Sequence, residues 1–166
     1  MIKKDKILCA KFRKGHFEGV LDVMNKLTKI INPQKIFMGE KDFQQLFLVK
    51  KFIEKEYRCK IISCKTIRNK AKLALSSRNH LLKKKQLILA EKLTQSLLTF
   101  KKKLLKKNNY KKIIDYKKKE LNRLFNVRIE YLELRNIFNL NNSTEIKNSK
   151  LFVAYYLNKI RFIDNF

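Results

Sequence analysis

The residues best suited to chemistry follow a short apolar run, in the stretch Phe37 to Val49 that reads FMGEKDFQQLFLV. Gly39 lets a ligand approach the backbone closely, because glycine has no side chain. Lys41 and the start of a helix both suit a phosphate, and the Asp42 carboxylate can accept hydrogen bonds from ribose hydroxyls. These residue types favour a nucleotide site. The alternative is that Asp42 only caps the helix while Lys41 extends into solvent, and the spacing alone does not separate the two.

A second cluster of hydrogen-bond donors lies at LALSSRNH, Leu73 to His80. The hydroxyls of Ser76 and Ser77 can donate to phosphate oxygens, and Arg78 can bind such oxygens through two parallel hydrogen bonds. The cluster follows a predicted strand, so it could reach the same ligand. The alternative is that it forms an N-cap and a turn before a long helix.

A third stretch, FRKGHFEGV, places His16 just ahead of a predicted helix. A lone histidine in that position more often makes a local hydrogen bond than catalyses a reaction. One such loop means little, but three donor-rich loops at the ends of successive helices and strands favour a binding site.

The elements that must position these residues alternate in the first part of the chain. Apolar spacing predicts helices at Phe17–Ile31 and from Phe43 to about Glu54, with buried strands at Lys35–Gly39 and Cys59–Ile67. Alternating helices and strands indicate half of a parallel α/β sheet. Ligands of such sheets bind beyond the carboxyl ends of the strands, where Gly39 lies.

The second part of the chain has a different order. An apolar stripe predicts a long helix from Leu82 to about Lys106, and a second helix follows at Tyr110–Phe125. Alternating residues predict strands at Val127–Leu134, Lys150–Leu157 and Lys159–Asn165, the last two joined by a tight turn near Asn158. This part is α+β, and we place the two domains at residues 1–66 and 67–166.

Composition narrows the function classes. The 166 residues contain 41 Lys and Arg against 14 Asp and Glu, a net charge of +27. Such a charge admits a basic nucleic-acid-binding protein as an alternative, but the sequence carries no zinc-finger, RGG or RNP pattern, so we predict only weak polyanion binding. No apolar run could span a membrane. Cys9, Cys59 and Cys64 match no zinc or disulfide spacing, which predicts no bound metal and reduced thiols in the cytoplasm.

The stretches FRKGHFEGV, FMGEKDFQQL and LALSSRN, in this order and spacing, resemble the pantothenate synthetase (pantoate–β-alanine ligase) family. VRIEYLELRNI and the ending LFVAYYLNKIRFIDN also resemble its C-terminal region, so the resemblance covers roughly Ile7 to Asn165. It implies the C-terminal half of a Rossmann-like nucleotidyltransferase sheet domain, which binds ATP and pantoate, followed by an α+β lid domain.

The resemblance also implies a reaction. Pantoate and ATP would give a pantoyl-adenylate and pyrophosphate, and β-alanine would then displace AMP to form pantothenate, with Mg²⁺ accompanying the ATP. By similarity, the residues that bind ATP would be Gly39, Glu40, Lys41, Asp42, Ile67, Leu75, Ser76, Ser77 and Arg78.

Within that set the roles differ. Lys41, Ser76, Ser77 and Arg78 would act in catalysis by stabilising charge on the phosphates. Ile67 and Leu75 would offer backbone contacts to adenine, and Gly39 and Asp42 would hold the ribose. Outside it, Gln45 would hydrogen-bond pantoate, and Arg13 and His16 would lie beside the active site.

The chain departs from the family in two places. The family's N-terminal turn with an HxGH motif is absent, so we expect an N-terminally incomplete chain, half of a split enzyme that a complementary N-terminal chain completes, or a non-catalytic nucleotide-binding remnant. The family's homodimer contacts lie largely in the sheet domain, so dimerisation stays open. A half-sheet should also expose an edge and an apolar face.

The second departure is local. Where the family usually reads READG, this chain has Arg68 followed by Asn69, Lys70, Ala71 and Lys72. Lys72 replaces the glycine and lacks its conformational freedom. The added positive charge beside a triphosphate could either help binding or misplace the loop, and the sequence does not separate the two.

Overall fold

The computed structural model describes residues 7–104 and 110–166. It divides into two compact units, Met1–Thr66 and Ile67–Phe166. The first unit contains α1 (Leu8–Phe12), α2 (His16–Ile31), β1 (Lys35–Gly39), a 3-10 helix (Glu40–Asp42), α3 (Phe43–Glu56) and β2 (Lys60–Cys64). The second contains a 3-10 helix (Ser77–Leu81), α4 (Lys84–Leu104), α5 (Tyr110–Phe125), β3 (Arg128–Asn136), β4 (Ser149–Leu157) and β5 (Ile160–Asn165).

The first unit is a two-stranded parallel sheet packed on two helices. β1 and β2 pair in parallel, as the sequence predicts, with Gly39 opposite Cys64. From α3, Leu46, Val49 and Ile53 are buried against this sheet. The order of elements is that of an α/β fold, and it brings the end of β1 directly to the start of α3.

Burial of β1 differs from the prediction. Phe37 is 66% exposed, whereas its neighbours Ile36 and Met38 pack on the core from the opposite face. The prediction of a fully buried strand is therefore wrong for β1, because α2 and α3 cover one face of the two-stranded sheet. On α2, the apolar spacing that predicts the helix also predicts that Leu27 and Ile31 face the core, but both are exposed.

The second unit is an antiparallel sheet packed against α4 and α5. Its strands lie in the order β3–β4–β5. The predicted stripe of α4 faces the core: Leu87 is half-buried against it, and Ala90, Leu93, Leu97, Phe100 and Leu104 are buried. Burial of each of these leucine and phenylalanine side chains contributes about 1.5–3 kcal/mol, which explains how a lysine-rich helix is held in place. At the β4–β5 turn Asn158 has φ 54°, a conformation that asparagine tolerates.

Several element bounds depart from the sequence prediction. The strand predicted at Cys59–Ile67 is shorter, Lys60–Cys64. The predicted end of the long helix at Lys106 lies outside the described residues. The short helix α1 and both 3-10 helices were not predicted, because elements of one turn carry too little periodicity to be recognised. Within the part of the chain that the structure describes, no helix is both long and apolar enough to cross a membrane.

Candidate functional site

The end of β1 and the start of α3 hold the first group of predicted site residues. Gly39 has an ordinary extended backbone, with φ −73°, and a side chain placed there would meet no atom within 4 Å. The strand therefore ends in open space. The backbone alone does not require a glycine here, so its use agrees with close approach of another molecule.

Lys41 and Asp42 do not behave as a solvent-exposed lysine and a helix-capping aspartate, which was the alternative to a nucleotide site. The Lys41 ammonium lies 3.8 Å from the Asp42 carboxylate, and the two side chains are 19% and 52% exposed. Lys41 is thus mostly covered and does not extend into solvent. Asp42 occupies the N-cap position of α3, yet its side chain makes no capping hydrogen bond. The capping alternative is therefore wrong for Asp42.

Glu40 is held by the neighbouring strand. Its carboxylate accepts a hydrogen bond from the Ser63 hydroxyl at 2.7 Å. Because Ser63 belongs to β2, this contact ties the turn after β1 to the sheet. The structure thus gives Glu40 a structural partner in addition to its predicted role.

The two adjacent glutamines of α3 have different surroundings. Gln44 is 5% exposed, and its side chain accepts a hydrogen bond from the Cys9 N–H and donates one to the Ile7 carbonyl, both at 2.9 Å. It therefore fastens the start of α1. Gln45, the residue predicted to bind pantoate, is only half-buried. Successive helical residues point about 100° apart, which explains the difference.

Arg13 and His16 lie at the junction of α1 and α2. Arg13 is exposed and follows the last residue of α1, and its carbonyl accepts a hydrogen bond from the His16 N–H at 3.3 Å. The His16 ring lies 5.0 Å from that of Phe17. The left-handed Gly15, with φ 73°, makes the turn between the two helices.

Residues 67–75 of the second unit form a small hairpin. The Leu75 N–H donates to the Ile67 carbonyl at 2.9 Å, and the Asn69 N–H donates to the Leu73 carbonyl at 2.9 Å. This bond uses the Leu75 N–H but leaves the Ile67 carbonyl a second lone pair and the Leu75 carbonyl available for the predicted adenine contacts. The side chains of both residues are exposed, at 72% and 53%.

The segment Ser76–Arg78, here called the donor loop, follows that hairpin directly. The Ser76 hydroxyl accepts a hydrogen bond from the Arg78 N–H at 3.3 Å and so caps the 3-10 helix Ser77–Leu81. The capping alternative is thus confirmed for Ser76, although the helix is not α4. Ser77 is exposed. Arg78 donates through Nη1 to the Arg161 carbonyl of β5 at 3.0 Å, which uses one of its five N–H groups.

Asn79 directly follows the donor loop and had no role assigned from the sequence. Its side-chain amide donates to the Ala74 carbonyl at 3.1 Å, and its N–H donates to the Ser76 carbonyl at 3.0 Å. These two bonds close the chain around the serines. Asparagine is common in turns for this reason, and that preference was the available signal.

A groove of about 520 Å³ lies elsewhere in the second unit, between α4 and α5. Lys117 donates there to Glu120 at 2.7 Å, so its charge is paired. None of the predicted site residues lines this groove, whose lining is Lys92, Gln95, Ser96, Thr99, Phe100, Lys103, Ile113, Tyr116, Lys117 and Glu120. Among residues 7–104 and 110–166, no group of three or more His, Cys, Asp or Glu side chains could hold a metal ion.

Comparison with known proteins decides the family. The sequence model of the family described as Pantoate-beta-alanine ligase matches residues 1–166. The chain belongs to the pantoate–β-alanine ligase family. It is 39% identical over 165 residues to a pantothenate synthetase of Clostridium botulinum, covering 96% of this chain and 58% of the relative. A pantothenate synthetase of Campylobacter hominis is 38% identical over 163 residues, covering 92% and 56%.

Solved structures of pantoate–β-alanine ligases agree in fold. The pantothenate synthetase of Thermus thermophilus superposes with a TM-score of 0.87 at 26% identity, covering 97% of this chain and 59% of that one. The ligase of Francisella tularensis, in complex with beta-gamma ATP and beta-alanine, gives 0.77 at 31% identity, covering 100% and 56%. The chain thus spans a little over half the length of the ligases it matches. The predicted α/β fold with a C-terminal α+β part is confirmed.

Proposed function

We propose that this chain carries the ATP-phosphate part and a portion of the pantoate part of a pantoate–β-alanine ligase. The observation that carries the proposal is its likeness, across its whole length, to a ligase of Francisella tularensis in complex with beta-gamma ATP and beta-alanine. The mostly covered Lys41 and the uncapped Asp42 support the same interpretation. Its three cysteines are free thiols, which suits a cytoplasmic enzyme.

The proposed chemistry has two steps. A carboxylate oxygen of pantoate attacks the α-phosphorus of Mg²⁺–ATP, the bond to the β-phosphate oxygen breaks, and pyrophosphate leaves. The amine of β-alanine then attacks the acyl carbon of the pantoyl-adenylate, loses a proton, and displaces AMP. Both steps need cationic and hydrogen-bonding groups placed where negative charge develops.

Residue roles follow from the two groups of side chains. Lys41 would lie along the phosphates, while Gly39 and Asp42 would meet the ribose and Gln45 the pantoate. The donor loop, Ser76–Arg78, would stabilise the departing pyrophosphate. Arg78 can do so because one bond to the Arg161 carbonyl leaves most of its donors for a phosphate.

We further propose that ligation needs a polypeptide equivalent to the family's N-terminal segment, either joined to this chain or separate. Exposed apolar side chains of the first unit support this, because exposed apolar surface commonly marks a protein contact. They are Phe37 on the uncovered face of the sheet and Val23, Leu27, Ile30 and Ile31 of α2, and they are 46–78% exposed.

Calorimetric titration with Mg²⁺–ATP tests the nucleotide site. Lys41→Ala should weaken binding about tenfold or more, since a hydrogen bond to a charged group contributes about 1.5–3 kcal/mol. Lys50→Ala is the matched control, because Lys50 lies on α3 of the same unit and is 53% exposed. Equal weakening in both variants, growing with salt, would favour the non-specific polyanion binder instead.

A further inference from the structure

Arg68 makes a largely buried, bidentate ion pair across the second unit. Its Nη1 and Nη2 atoms donate to the two carboxylate oxygens of Asp164, each at 2.8 Å. The side chains are 19% and 6% exposed. Bidentate pairs of this kind are strong and fix geometry, whereas their burial costs solvation. A pair retained at that cost is therefore better explained by positioning than by stability alone.

The same guanidinium reaches three further groups. Nη1 also donates to the Lys72 carbonyl at 3.0 Å, and Nη2 also donates to the Asn165 carbonyl at 3.0 Å. The guanidinium carbon lies 5.0 Å from the centre of the Phe166 ring. Arg68 thus joins the turn of the hairpin 67–75 to the end of β5.

A second contact fixes Arg78, the last residue of the donor loop, to the same strand. Arg78 donates to the Arg161 carbonyl of β5, and the Arg161 side chain is itself held by Glu130 of β3, with Nε 3.0 Å from Oε2. Asp164 lies three residues beyond Arg161, roughly 10 Å along an extended strand. In the sequence, Ser76 and Ser77 therefore lie between two residues, Arg68 and Arg78, that both contact β5.

We propose that Arg68 is a positioning residue for the donor loop. With Asp164 it holds the hairpin on β5, and so keeps Ser76 and Ser77 in place for the phosphates of ATP. The inference rests on the proposed function, and it assigns a role to a residue that does not itself touch the substrate. Its benefit is pre-organisation, because a loop already fixed loses less freedom when a ligand binds.

The test uses two variants and a matched control. Asp164→Asn keeps the shape of the side chain and removes its charge. Arg68→Lys keeps the charge and removes the fork. The control is Glu133→Gln, which removes a carboxylate of β3 that accepts from Arg135 Nε at 2.6 Å. All variants are first shown to be folded by near-ultraviolet circular dichroism.

Two quantities are measured for each variant: hydrogen exchange of the Leu75 and Arg78 amides, and the Kd for Mg²⁺–ATP. We expect both amides to exchange at least tenfold faster, and ATP to bind at least tenfold more weakly, in Asp164→Asn and Arg68→Lys but not in Glu133→Gln. Unchanged exchange in both variants would overturn the anchor. If the wild-type chain binds ATP and both variants bind it equally well, the positioning role is overturned, whereas the anchor itself is not. A wild-type chain that binds no ATP would instead overturn the proposed function and, with it, this role.

Discussion

Lys72 occupies a backbone conformation that a lysine rarely adopts. Its φ is 72°, in the left-handed region. The N–H of Lys72 donates to the Asn69 carbonyl at 2.9 Å, and its carbonyl accepts from Arg68 Nη1 at 3.0 Å. Lys72 makes both contacts through its backbone atoms, and its side chain is exposed. Lys72 therefore adopts the left-handed conformation itself and bears the backbone strain.

Lys72→Gly should stabilise the chain. The left-handed conformation costs a non-glycine residue roughly 1–2 kcal/mol. A glycine recovers that cost but loses about 0.4–1 kcal/mol through the greater freedom of the unfolded chain. The two ranges leave a net gain between about 0 and 1.6 kcal/mol, centred near 0.8 kcal/mol. The melting temperature should therefore rise by about 2–3 °C.

Thermal denaturation followed by circular dichroism measures this effect. Lys70→Gly is the matched control, because Lys70 is an exposed lysine of the same turn that is not among the residues with positive φ. It removes the same charge and should lower the melting temperature. Lys72→Gly that destabilises as much as Lys70→Gly would refute the reasoning from backbone strain.

Two further predictions concern stability. Gln44→Ala should lower the free energy of unfolding in guanidinium by about 1–3 kcal/mol, because it removes the side chain that hydrogen-bonds to Ile7 and Cys9. Gln45→Ala should leave the stability nearly unchanged. Equal effects of the two substitutions would contradict the difference in burial. Burial, and secondly the nearby Asp164 carboxylate, raise the pKa of the Tyr155 hydroxyl above its usual value. As the pH rises, the unfolded chain therefore loses this proton before the folded chain does. The stability that this group contributes is fully present below about pH 10 and falls as the pH rises further. In Tyr155→Phe the decline above that pH should be shallower, and an unaltered alkaline limb would show that Tyr155 does not contribute.

Periodicity predicted the elements that bury a regular stripe. α5 was predicted at Tyr110–Phe125 and β1 at Lys35–Gly39, and both have those bounds. Each is bounded by clear signals, such as the proline at position 33 before β1. Burial was harder to predict, because Phe37 is apolar yet exposed in a two-stranded sheet.

Pairings between distant residues could not be predicted. Arg68 and Asp164 are 96 positions apart, and neither type of residue nor local spacing indicates its partner. Likewise, two adjacent glutamines gave no sign that Gln44 is structural and Gln45 is not. Motif resemblance located the donor loop, whereas the contacts that hold it depend on the tertiary fold.

The most direct test of the central claim is pantoate-dependent exchange of labelled pyrophosphate into ATP, which follows adenylation and needs no β-alanine. It is run with the folded chain alone and with the N-terminal segment of a related ligase added as a separate polypeptide. The account predicts exchange only when that segment is present, with loss of exchange in Lys41→Ala. Exchange by the chain alone would contradict the need for the segment. No exchange in either case would contradict the claim that these residues form part of a ligase.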